Sequence, residues 1–238
     1  MKQIIAMGGG GFSMEPENLL LDQYIINQAG ESKPKVCFLP TASGDAEGYI
    51  ERFYNSFLSL QCTPSHLSLF KLPTKDLEGF LLEKDIIYVG GGNTKSMLAL
   101  WREWEVDSII KKAWESGTIL AGLSAGSICW FEEGITDSYG EELETIKGLG
   151  FLKGSHSPHY DGEEDRRTQF HSFIRKGILQ AGYGVDDGAA LHFIDESLYK
   201  VVSSRVHASA YWVEKRDGDM HETVLSTEFL KKGYKDSP

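Results

Sequence analysis

Three cysteines in 238 residues, Cys37, Cys62 and Cys129, are too few and too irregularly spaced for a disulfide framework or a C-x-x-C metal site. No apolar run approaches the ~20 residues of a membrane helix. The opening Met1–Met7 passes into glycine before the apolar core of a signal peptide could form. Lys and Arg number 24 against 35 Asp and Glu, so the formal charge is −11, and no basic run supplies the clustered cations that phosphate contacts need. These absences point to a reducing cytoplasm and exclude nucleic-acid and membrane partners. What is abundant is glycine, with 26 residues gathered partly into short runs, beside an ordinary 41% of hydrophobic residues. A chain of this length can bury a core without staples.

Short, continuously apolar runs alternate with helical periodicity along the first half. Ile4–Met7, Val36–Leu39, Ile86–Val89 and Ile119–Leu123 read as buried strands, because a strand covered on both faces need not alternate. Between them Ile50, Phe53, Tyr54, Phe57 and Leu58 follow the spacing of one helix face, and Val106, Ile109, Ile110, Ala113 and Trp114 repeat it. Asp45 and Thr74 stand where N-caps would start helices. The alternation predicts an α/β fold with a mainly parallel sheet sandwiched by helices. After Gly182 the runs Ala189–Phe193, Tyr199–Val202 and Ala210–Val213 predict late antiparallel strands added to that sheet. No linker or repeat interrupts the chain, so residues 1–238 read as a single domain with a polar end, 231–238, expected to fray.

Three glycine-rich turns each follow a predicted strand. In Gly8-Gly9-Gly10-Gly11-Phe12-Ser13, Gly8 and Gly10 fit G-x-G-x-x-G, but Ser13 stands where the third glycine belongs. The ribose-binding acid expected after the second strand gives way to Leu39-Pro40-Thr41-Ala42-Ser43. A tight turn whose backbone approaches another part of the fold is therefore expected there, not a dinucleotide site. Gly90-Gly91-Gly92-Asn93-Thr94 ends a strand and opens a helix, and its bare amides could hold negative charge. Gly122-Leu123-Ser124-Ala125-Gly126 is G-x-S-x-G, with a helix predicted over 127–131. Its glycines permit a turn that lifts Ser124 above the sheet, and the Ala125 amide at the helix start would stabilise an oxyanion.

A nucleophilic serine needs a base. Among seven histidines, His66 and His171 read as surface or packing residues, and His207 and His221 as exposed members of the late strands. His156 and His159 close a strand-like run, Phe151-Leu152, in a polar loop, without the Cys or carboxylate partners of a metal pair. Pro158 stiffens the peptide before His159, which suits a ring that must be held.

Val89-Gly90-Gly91-Gly92-Asn93-Thr94, Gly122-Leu123-Ser124-Ala125-Gly126 and Ser157-Pro158-His159-Tyr160 resemble, in order and spacing, the three motifs of the peptidase E family. That family comprises serine peptidases, aspartyl dipeptidases among them, with cyanophycinases as relatives. The resemblance spans Ile4 to Leu191 and implies a fold similar to class I glutamine amidotransferases. It also implies Ser124 as nucleophile, His159 as general base, and an oxyanion hole from the amides of Ala125 and of the Gly91-Gly92 turn. Asn93, in the same motif, is grouped with substrate binding. The family's third triad member is a Glu before a Gly, and Asp187 occupies that place in Gly184-Val185-Asp186-Asp187-Gly188. Asp137, which matches a family acid after the nucleophile helix, is the alternative. Arg166, with Arg167 beside it, matches the arginine that binds a substrate carboxylate in aspartyl dipeptidases. The acidic stretch Asp161-Gly162-Glu163-Glu164-Asp165 departs from those members.

The reading is a cytoplasmic serine peptidase acting on short peptides, with acidic-P1 dipeptides as the first substrates to consider. No metal or organic cofactor is implied, and the chain is expected as a monomer or homodimer. The alternatives are an esterase or amidase on non-peptide substrates, and a catalytically silent ligand-binding protein.

Overall fold

The apolar runs of the first half become parallel strands in the computed structural model, which describes residues 1–140 and 142–231. The polar end expected to fray lies outside the described residues from 232 onward. β1 (Gln3–Met7), β2 (Lys35–Leu39), β3 (Thr63–His66), β4 (Ile86–Val89) and β5 (Ile119–Leu123) pair in parallel in the order β1-β5-β4-β2-β3. Alternate residues face opposite cores. Ile4 and Ala6 of β1 pack with α4 (Leu77–Leu82), α5 (Thr94–Glu103) and α6 (Val106–Glu115), while Ile5 and Met7 pack with α1 (Gly11–Met14), α2 (Leu20–Asn27) and α3 (Glu47–Phe57).

The rest of the chain corrects the expectation of a single sheet. After α7 (Ala125–Ile128), the strands β6 (Phe131–Thr136), β7 (Glu144–Lys147), β8 (Leu152–Ser157) and β9 (Gly182–Val185) build a second sheet. β10 (Ala189–Ile194) and β11 (Ser197–Ser203) do extend the first sheet, antiparallel from β1. β12 (Ala210–Arg216) and β13 (Asp219–Val224) instead join β9, giving the order β13-β12-β9-β8-β6-β7, and β14 (Thr227–Phe229) returns beside β11. One face of the second sheet shares the first sheet's core through Phe131, Leu152, Val185 and Ala210. The other packs Ile135 and Val213 against Phe170 and Ile174 of α8 (Arg166–Arg175).

Local details also differ from the sequence reading. The helix predicted over 127–131 is the single turn α7, because the chain enters β6 at Phe131. Asp45 does not cap α3; its carboxylate accepts from Ser68 Oγ and the amides of Leu69 and Phe70. Asp76, not Thr74, caps α4 by accepting the Gly79 amide at 2.8 Å. On α3 the buried face is Tyr49, Phe53 and Phe57, and Leu58 is exposed.

A one-turn helix such as α1 has no stability of its own. Tertiary contacts hold it. The Phe12 ring sits among Phe38, Tyr49, Phe53, Phe57 and Tyr88, with centroids 5.5–5.6 Å away. Burying one such ring contributes about 1.5–3 kcal/mol. The fully buried Asp22 accepts the Phe12 amide at 2.8 Å and the Tyr88 hydroxyl at 3.1 Å. Among the described residues no helix is long and apolar enough to cross a membrane.

Candidate active site

All three glycine turns leave the carboxyl ends of adjacent parallel strands, β1, β5 and β4. That end of an open α/β sheet is where ligands bind. Between β5 and α7, Ser124 adopts φ 54° and ψ −118°, a conformation that costs a non-glycine residue about 1–3 kcal/mol. The flanking glycines make the turn possible: a side chain on Gly122 would strike the Gly126 carbonyl, and one on Gly126 the Val89 carbonyl. The Ser124 carbonyl is pinned by the amides of Ser127 and Ile128, each at 2.9 Å, and by Ser127 Oγ at 2.8 Å. His156 Nε2 lies 2.9 Å from that same Ser127 oxygen.

His156 itself is a core residue. It is fully buried, stacks on Phe131 at 4.6 Å, and burial pushes its pKa down to about 3. His159, three residues on, takes φ 52° at the end of β8 and donates from Nδ1 to Asp187 Oδ1 at 2.7 Å. The two side chains are 14% and 10% exposed, so the pair is partly shielded yet reachable. Ser124 Oγ makes no hydrogen bond among the described residues, His159 included. Such contacts often close only when substrate binds.

Asp187 sits in the β9–β10 turn, and two segments hold it. Its amide donates to Asp161 Oδ1 at 2.8 Å, and the Gly188 amide donates to the Gly9 carbonyl at 3.0 Å. A Cβ on Gly162 would stand 2.5 Å from Asp187 Oδ2, and one on Gly9 would overlap Asp187 Oδ1. The first glycine turn thus brings its backbone up to the Asp187 turn. Asp161 had no signal in the sequence beyond its place after the histidine motif. Asp137, the alternative acid, is exposed just past the end of β6 and makes no hydrogen bond to His159 among the described residues; it lines a cavity of about 680 Å³. Glu142, Glu163, Glu164, Asp165 and Arg166 also line that cavity.

In the second glycine turn most amides are engaged. Gly90 donates to Leu39 O, Gly91 to Tyr49 Oη, Asn93 to Ala42 O and Thr94 to Ser138 Oγ. Among the described residues the amides of Gly92 and Ala125 have no partner. Gly91 runs beside the serine, since a Cβ on it would lie 3.2 Å from Ser124 Cβ. Asn93 is the N-cap of α5: its Oδ1 accepts the Ser96 amide at 2.8 Å and its Nδ2 donates to Ser138 O at 3.1 Å.

Both arginines are paired. Buried Arg166 donates from Nε to Glu163 Oε2 at 2.8 Å and from Nη1 to Ile135 O at 3.3 Å. Arg167 forks onto both carboxylate oxygens of Glu222 and stacks over the Tyr160 and Tyr211 rings. Glu222 also accepts from Tyr160 Oη at 2.7 Å and lies 2.8 Å from His171 Nε2, so His171 belongs to this network. His221 is half-buried and His207 exposed. No group of three or more His, Cys, Asp or Glu side chains among the described residues could hold a metal ion.

The model of peptidase family S51 matches residues 4–201. The chain belongs to that family. The "Uncharacterized peptidase YgaJ" of Bacillus subtilis strain 168 is 58% identical over 230 residues, covering 97% of this chain and all of the relative. The crystal structure of a peptidase from an acI-B1 Actinobacterium superposes at a TM-score of 0.68 with 18% identity over 95% of both chains. A Listeria monocytogenes EGD-e structure superposes at 0.59 with 16% identity, covering 95% of this chain and all of that one. The S51 assignment makes this chain a serine peptidase, the family that the three sequence motifs resembled. Its matched span contains all the candidate triad residues, whereas Glu222 lies beyond it.

Proposed function

We propose that this S51 member hydrolyses short peptides with Ser124 as nucleophile, His159 as general base and Asp187 as the acid that orients it. The observation that carries the reading is the 2.7 Å bond from His159 Nδ1 to Asp187, together with a serine held in a strained elbow. With Nδ1–H donated to Asp187, Nε2 presents its lone pair and can accept the Ser124 proton. The Ser124 oxygen then attacks the scissile carbonyl, and the unpaired amides of Ala125 and Gly92 receive the developing oxyanion. His159 returns the proton to the leaving amine, and a water activated by the same imidazole releases the acyl group. Gly91, whose amide is bonded to Tyr49, shapes this hole without donating to it.

The pairing of Arg166 with Glu163 and of Arg167 with Glu222 leaves little to favour an acidic P1 residue. A dipeptide panel with Asp, Glu, Asn, Ala, Leu and Lys at P1 tests substrate and mechanism together. Wild type should cut at least one of them, and Ser124→Ala should lose at least 10³-fold in kcat while keeping its far-UV circular dichroism. Undiminished turnover by Ser124→Ala would sink the assignment of the nucleophile.

A further inference from the structure

Glycine turns are pliant, and an oxyanion hole works only if its donors are already in place when charge develops. The Gly90-Gly91-Gly92 turn must therefore be held by something outside itself. On one side the Gly90 amide is tied to β2 through Leu39 O, at 3.1 Å. On the other, the Asn93 amide is tied to Ala42 O at 2.7 Å. Between these anchors stands one further bond, from the Gly91 amide to Tyr49 Oη at 3.2 Å.

Tyr49 is suited to hold a peptide plane still. It lies in the first turn of α3 and is 6% exposed, with its ring against Phe12 at 5.6 Å and Phe38 at 5.1 Å. The ring and the turn are fitted to each other, since a Cβ on Gly90 would come within 2.9 Å of Tyr49 Cε1. Two aromatic neighbours leave the phenol no alternative rotamer without emptying a packed site. Burial raises the phenol's pKa, against the Ser13 hydroxyl and the Gly91 amide beside its oxygen, so the group is neutral and accepts the amide proton as a phenol.

We propose that Tyr49 is a positioning residue of the oxyanion hole: by accepting the Gly91 amide it fixes the turn so that the Gly92 amide faces the carbonyl attacked by Ser124. Tyr49 acts through Gly91 and does not touch the reacting atoms. The inference rests on the reading of Ser124 as nucleophile. It also gives a physical reason for a tyrosine on a helix face where packing alone would be served by phenylalanine.

Tyr49→Phe keeps the ring and removes only the acceptor. With p-nitrophenyl acetate, or any dipeptide that the panel finds, kcat should fall about 10-fold with KM within about twofold of wild type. That is less than the 10²–10³ lost when an oxyanion donor is itself deleted. The rate of Ser124 labelling by a fluorophosphonate, whose phosphoryl oxygen uses the same hole, should fall by a similar factor. The midpoint of the acid limb of the kcat–pH profile should not move, because His159 and Asp187 are untouched. A second variant with 3,5-difluorotyrosine at position 49 retains ring and hydroxyl, weakens the oxygen as an acceptor, and should show a smaller fall in the same direction. A kcat and labelling rate within twofold of wild type in Tyr49→Phe overturn the proposal, as does a shifted acid limb with labelling unchanged. Failure of the underlying reading looks different: Ser124→Ala would then turn over substrate like wild type, whatever Tyr49→Phe does.

Discussion

A carboxylate orients an imidazole only from hydrogen-bonding range, and of the two acids offered by the sequence only Asp187 stands there. Aspartate is one methylene shorter than the glutamate of the family pattern. The backbone makes up the reach: Gly9 and Gly162 let the acid turn and the histidine loop close on the carboxylate, and Asp161 holds the Asp187 amide. Asp187→Asn should lower kcat by about 10²–10⁴, as loss of an orienting acid does in serine peptidases. Asp137→Asn should stay within threefold, and steady-state kinetics on the same substrate separates the two. Ser124 and His159 were legible because each is fixed by a local motif. The partners of Arg167 were not. Glu222 lies 55 residues further along, and no spacing in the sequence encodes a contact made by folding one sheet over a helix.

Among the secondary-structure elements, α1 exposes the clearest dependence on pH. Its Phe12 amide is capped by Asp22, a carboxyl whose pKa burial pushes up to about 7, against the hydrogen bonds from Tyr88 and Phe12. The folded state therefore holds a proton that the unfolded chain has released above its ordinary value of 3.8. Stability contributed by Asp22 is greatest at low pH, falls as pH rises between those two values, and stays low above them. Thermal melts of wild type and Asp22→Asn across pH 4–8 should show the gap in Tm moving in the variant's favour as pH increases to about 7. A gap that is flat with pH would mean Asp22 stays ionised in the fold. The strands β1, β2, β4 and β5 were readable from sequence because burial on both faces demands unbroken apolar runs. Only the start of β8, at Leu152, was readable: its remainder buries glycine, serine and histidine in place of an apolar run, and β7, with the sequence ETIK, is a mostly exposed edge strand.

At the scale of the whole molecule, the parallel half was foreseeable from strand–helix alternation, but the second sheet was not. Its strands come from segments on both sides of α8, and the chain leaves the first sheet after β11 so that β12 pairs with β9. This arrangement brings His159, just past the end of β8, against the β9–β10 turn with Asp187, which bridges to Gly9 just past the end of β1, the strand beside β5. The elbow also sets a limit on global stability. Ser124 occupies a backbone region that glycine enters freely, so the proposed nucleophile is the wrong residue for the fold. Ser124→Gly should melt about 2–4 °C above Ser124→Ala, the relief of strain partly offset by the greater freedom of glycine in the unfolded chain. On the proposed mechanism, natural drift toward thermal robustness at this position would therefore run toward an inert protein. Here hardiness and activity are set against each other by one pair of dihedral angles.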